Sequence, residues 1–231
     1  VGNSAPGWDR FLATFLDPVV AARYLPDILS GVAVTLGAGL AVVVTGLLAG
    51  LGLAVLRSFG NRLLNILILV FVDVVRALPP LVLLLIVYFG LPNAGIVLPA
   101  FLVLWLVLSV VLAAFSEEVF WSGITAVNRG QWMAAQSTGM TRMQALRLVI
   151  LPQAVRMAVP PLTNRVVSIT KNVALGSAIG VSEILGRASS AQAFSGNATP
   201  LTIGAILYLL IFIPLVVSAR RLERRFGWKR A

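Results

Sequence analysis

The chain contains no cysteine and no histidine, and only 8 acidic residues among 231. Without cysteine there are no disulfides and no thiol chemistry, and without either residue the usual zinc ligand sets cannot form. The missing histidine also removes the commonest general base. Charge as a whole is scarce, 11% against 59% hydrophobic residues, which is a membrane composition and not that of a soluble domain. The 18 lysines and arginines leave a net charge of +10, but their placement beside long apolar runs points to a membrane and away from nucleic acid. Residues 1–27 lack a basic start followed by an apolar core, so no cleavable signal is expected.

Several runs approach the roughly twenty apolar residues that a helix needs to cross the hydrocarbon core. Residues 1–29 read as an extracytoplasmic, interfacial segment, with Trp8, Phe11, Phe15 and Tyr24 set among Asp9, Arg10, Asp17, Arg23 and Asp27. A first span covers about 30–56 and ends at Arg57. Its Gly46 and Gly50, four apart, suit close helix packing, although chance in so Gly- and Ala-rich a span explains them equally. A second span, about 63–91, carries Asp73, Arg76 and Pro79-Pro80 at its middle and is expected to break there. The turn 91–95 closes it, and a third span of about 96–116 runs into Glu117 and Glu118. A fourth is expected from Pro160-Pro161 to about 185, followed by a polar loop over 186–199 and a fifth span over about 201–219. The membrane domain is thus 30–220, about five helices, with a basic tail at 221–231.

Between the third and fourth spans lies QWMAAQSTGMTRMQALRLVILP, residues 131–152, polar and carrying Arg142 and Arg147. It reads as two short helices joined at Gly139, since glycine most easily takes the left-handed conformation past a helix end. Thr141 and Gln144 have capping-box spacing, and Pro152 is expected to stop the second helix. An ordinary capped connection satisfies the same pattern.

Five spans put the termini on opposite sides. Arg57, Arg62, Arg129, Arg142, Arg147, Arg156 and the six basic residues of 220–230 then share one side. Arg10, Arg23 and Arg187 share the other with Asp9, Asp17 and Asp27. Basic residues collect in the cytoplasm, so the N-terminus is expected outside and the C-terminus inside.

Segment 131–152 resembles the EAA loop of bacterial ABC-importer permeases: E-A-A, three residues, G, nine residues, I-x-L-P. Ala134, Ala135, Gly139, Leu151 and Pro152 match in register, Val149 replaces the Ile, and Met133 stands in place of the Glu. Further stretches are similar to the polar and charged amino-acid permeases of that group. VRALPPLVLLLIVYFGLP (75–92) resembles R-G-T-P…F-Y-F-G-L-P through Arg76, Pro79, Tyr88, Phe89, Gly90, Leu91 and Pro92. Gly31, Thr35 and Leu36 fit a G-x-x-x-T-L opening. AFSEEVFWSGITAV (114–127) resembles A-Y-x-A-E-I-F-x-G-G-I-x-S-V, with Glu118 matching and Glu117 extra. TKNVALGSAIGVSEI (170–184) resembles K-D-T-S-L…I-G-V-x-E-L, with Lys171 and Glu183 matching and Asn172 in place of Asp.

The resemblance implies an all-α integral membrane subunit whose cytoplasmic helix–turn–helix, about 128–159, couples it to an ATPase. It implies a second permease subunit, identical or not, two ATPase subunits holding ATP and Mg, and an extracytoplasmic amino-acid-binding protein, in the bacterial inner membrane. No cofactor is expected in this chain, which has no G-x-x-x-x-G-K-[ST] phosphate loop. Arg76 or Lys171, with Asn172, is expected to meet a substrate carboxylate, and Glu118 or Glu183 its amine; Asp73 is a further candidate partner of Arg76. The alternatives are an ABC permease for another small solute, an intramembrane enzyme using Glu117, Glu118, Glu183 or Lys171, and a passive channel.

Overall fold

The computed structural model describes residues 7–226, which are helical almost throughout, with no strand among them. Residues 1–6 and 227–231, with the first part of the interfacial segment and the end of the basic tail, lie outside the described residues. Four helical stretches are long and apolar enough to cross a membrane, or five where one bent helix pair counts as a single span.

A short helix α1 (Gly7–Phe15) precedes α2 (Pro18–Ser58). The first span was expected to begin near 30, yet α2 starts at Pro18. Asp17 is the reason: its carboxylate accepts from the amides of Val19 and Val20, and Pro18 fills the first helical position, where an N–H is not needed. Along α2 the buried residues Thr35, Ala38, Val42, Gly46, Gly50 and Ala54 recur every three to four positions and form one face. That face lies against α5 (Ala100–Ala126). The Gly46 and Gly50 pair is what brings the two backbones together, since a Cβ at Gly46 would sit 2.7 Å from the Cβ of Leu112. Ser116 closes the seam, its hydroxyl donating to the Gly46 carbonyl at 3.3 Å.

The second span is broken into α3 (Arg62–Ala77) and α4 (Pro80–Gly90), bent by 101°. Leu78, which precedes proline, is extended (φ −98°, ψ 137°), and Pro80 opens the new helix. A 3₁₀ turn over Leu91–Ala94 and a left-handed Gly95 reverse the chain into α5. Glu117 and Glu118 do not terminate that span, as expected of charge; α5 continues to Ala126. Glu117 is tolerated inside because Arg57 of α2 pairs with it at 3.1 Å, a partner 60 residues distant.

After α6 (Arg129–Ser137), Gly139 is left-handed at φ +86° and α7 (Arg142–Ala145) begins with the full capping box between Thr141 and Gln144. Pro152 does not end this helix. A π-helical turn over Leu146–Ile150 widens the ladder, the amide of Leu151 bonding the carbonyl of Leu146, and α8 (Leu151–Lys171) follows directly. The Gln153 side chain donates to the Val149 carbonyl at 2.8 Å, meeting an acceptor beside the disturbed ladder. Pro160 and Pro161, expected to start the fourth span, lie inside α8. That span does not run on to 185: α8 gives way to a 3₁₀ stretch over Asn172–Ile179 and a left-handed Gly180. Residues 186–199 are not a loop, because Glu183 caps a helix, α9 (Ile184–Ser195), that holds most of them. The last helix, α10 (Thr199–Phe226), outlasts the expected 201–219 and carries Arg220, Arg221, Arg224 and Arg225 on it.

Candidate functional site

The break between α3 and α4 opens a cavity of about 400 Å³, within the roughly 300–1,000 Å³ range of small-molecule sites. Arg76 reaches it from the last turn of α3, and Leu78 and Pro79 line it from the break itself. Phe115 comes from α5, and Arg165, Ser168 and Asn172 come from α8 and its end. These last three recur at i, i+3 and i+7, one helix face. Both guanidiniums sit on the ring of Phe115, Arg76 at 5.3 Å and Arg165 at 4.3 Å from its centroid.

Arg76 pairs with Glu118 at 2.6 Å, and its Nε is buried without a hydrogen-bond partner. Asp73, the nearer candidate, makes no ion pair with it among the described residues. Instead Asp73 shares a second cavity of about 300 Å³ with Arg57, Glu117 and Glu118. Glu117 is fully buried there, and Arg57 lies 4.5 Å over the ring of Trp121.

Of the five residues expected along a substrate path, Arg76, Glu118 and Asn172 meet at or beside this opening. Lys171 and Glu183 do not. Lys171 faces Phe212 at 5.8 Å, in a separate apolar recess with Tyr208. Glu183 is fully buried and occupied: it accepts from the amides of Leu185 (3.0 Å) and Gly186 (2.6 Å), and the Tyr208 hydroxyl donates to it. Arg165 was missed as a site residue: its spacing from Ser168 and Asn172 marks a shared helix face but not what that face meets.

In the other candidate region Met133, Ala134 and Gly139 are exposed while Ala135 is buried, so α6 presents one edge outward. Arg142 fixes this segment to the rest by donating to the Ser58 carbonyl at 2.8 Å. Leu151 is half-buried and Pro152 exposed at the head of α8.

Residues 24–228 match the family model described as binding-protein-dependent transport system inner membrane component. The chain is 32% identical over 192 residues to the probable glutamine ABC transporter permease protein GlnM of Bacillus subtilis (strain 168), covering 83% of this chain and 89% of that one. With the arginine transport system permease protein ArtQ of the same organism it shares 30% over 212 residues, 91% and 97% of the two chains. Among solved structures, an amino acid ABC transporter crystallised with histidines superposes with a TM-score of 0.81 at 31% identity, over 91% of this chain and 99% of that one. The inward-facing MetNI methionine ABC transporter shares the fold at 22% identity and a TM-score of 0.69.

Proposed function

This chain belongs to the family of binding-protein-dependent transport system inner membrane components, and from that premise we propose that it is the permease subunit of a bacterial amino-acid importer. It is a transport subunit, and the ATPase activity of such systems resides on separate chains. On this reading a second permease subunit completes the membrane path, two ATPase subunits hold ATP and Mg, and an extracytoplasmic protein delivers the amino acid. The observation that carries the reading is the cavity at the broken second span, of amino-acid size and held open beside Arg76. A planar guanidinium donates two parallel hydrogen bonds to a carboxylate, and Asn172 and Ser168 add neutral polar partners. Glu118, already on Arg76, offers the nearest anion for an α-amine. The test is uptake by the purified complex in proteoliposomes. Uptake should require ATP and binding protein, and uptake without ATP would make the protein a channel.

The exposed edge of α6 and the turn at Gly139 form the coupling surface toward the ATPase in this reading, with Met133, Ala134, Ala135, Leu151 and Pro152 around it. A β-branched residue at φ +86° is strained by on the order of 1–2 kcal/mol. Gly139→Val is expected to insert normally yet lose stimulation of ATP hydrolysis by binding protein; retained stimulation would count against the docking role. On this reading the chain lies in the inner membrane with its N-terminus outside. A tag at residue 4 should label on intact spheroplasts and one at residue 231 only after lysis. Labelling of both from one side would mean an even number of spans.

A further inference from the structure

We propose that the cavity at the broken span selects amino acids carrying an additional carboxylate, with Arg165 as the residue that recognises it; this rests on the importer reading above. The charges around the cavity are one-sided. Arg76 and Arg165 both line it, and no acidic residue does. Arg76 already has Glu118, whereas Arg165 has neither an ion pair nor a hydrogen bond among the described residues, only the face of Phe115. Two guanidiniums that line one cavity and rest on one ring are placed to meet the two ends of a single dicarboxylic amino acid. The α-carboxylate then takes Arg76, which lines the cavity from the last turn of α3. The side-chain carboxylate takes Arg165. Ser168 and Asn172, on the same face of α8 as Arg165, bring no charge that would compete for it.

The arrangement discriminates by what it leaves unpaired. A neutral amide side chain gives Arg165 one acceptor oxygen and no charge, and a cationic side chain meets a cation. Charge-assisted pairs are roughly twice as strong as neutral ones, so a preference for glutamate over glutamine of on the order of tenfold is expected.

The experiment uses the permease–ATPase complex in nanodiscs without binding protein, so that only the membrane cavity is read. Bound radiolabelled L-glutamate is competed with L-aspartate, L-glutamine and L-arginine. L-aspartate should displace it nearly as well as unlabelled L-glutamate, L-glutamine about tenfold less well, and L-arginine not measurably. Arg165→Gln should bring glutamate and glutamine within about twofold of one another, and Arg165→Lys, which keeps the charge but loses the planar fork, should retain only part of the preference. Asn172→Asp, which sets a carboxylate beside Arg165, should weaken glutamate binding more than glutamine binding. A complex that binds glutamine or arginine as well as glutamate overturns the anionic preference alone. So does an Arg165→Gln complex that keeps the wild-type ratio. Absence of binding by all four amino acids, with no uptake in proteoliposomes, overturns the importer reading beneath it.

Discussion

Two pairs of adjacent prolines meet opposite fates in this bundle. Pro79-Pro80 separates α3 from α4 with a bend of 101°, whereas Pro160-Pro161 lies within an uninterrupted α8. The local chemistry is the same: each pair removes two amide donors and crowds the preceding turn. What differs is the packing on either side. Across the second pair, Ala154, Ala158, Leu162 and Ile169 form a buried stripe that continues from one side of the prolines to the other. Thr163 adds a tie: its hydroxyl, with one proton to donate, lies 2.7 Å from both the Pro160 carbonyl and a carboxylate oxygen of Glu223 of α10. Across the first pair there is no such stripe: Ile68, Val72 and Val75 are buried before it, only Leu84 in α4 after it, and Leu78 is exposed. Proline proposes a break, and lateral packing decides whether it is taken.

The largest effect should come from healing the first break. Pro79→Ala with Pro80→Ala removes an obstacle of about 3 kcal/mol per proline to a continuous helix. Spin labels at residues 66 and 86 should move apart as α3 and α4 straighten, and uptake should fall by on the order of tenfold as the cavity closes. An unchanged label distance would assign the bend to its surroundings and not to the prolines. Next, Ala158→Leu overpacks the stripe that spans the second pair and should lower thermal stability by roughly 1–3 kcal/mol, seen as a lower melting temperature of the complex. Thr163→Val, which strips the tie to Glu223, should cost about 1 kcal/mol in the same measurement. Smallest of all, Pro160→Ala with Pro161→Ala should leave uptake within about twofold, since α8 is already helical there. A large loss would show that this pair also serves a break, in a second conformation.

Signals that act within a few residues were legible in the sequence. Gly139 and the Thr141–Gln144 box marked the turn between α6 and α7, Gly95 and Pro92 marked the turn before α5, and Pro79-Pro80 marked the bend. What was not legible depends on partners far along the chain. Glu117 reads as the end of a span until Arg57, on another helix, is known to face it. Pro152 reads as a stop until the π turn before it is seen to carry the helix on, the amide of Leu151 reaching back to the Leu146 carbonyl. The small polar residues of 186–199 read as a loop because α9 draws little on an apolar stripe, burying only Ile184, Ala188 and Ala191. For the site, Arg76 stood out as a cation beside a break, and Arg165 did not, because its role depends on Phe115 and on the bend that brings α3 toward it.

The start of α2 is tied to the start of α10, the amide of Asp17 donating to the Thr199 hydroxyl at 2.9 Å, so the two helices set out from a common level. With 41 and 28 residues they extend about 61 Å and 42 Å, against a hydrocarbon slab of about 30 Å. Both helices are longer than the slab is thick. Their excess apolar length must be met by tilt or by local thickening of the bilayer, whereas the halves of the broken span, 16 and 11 residues long, are each too short to cross it alone.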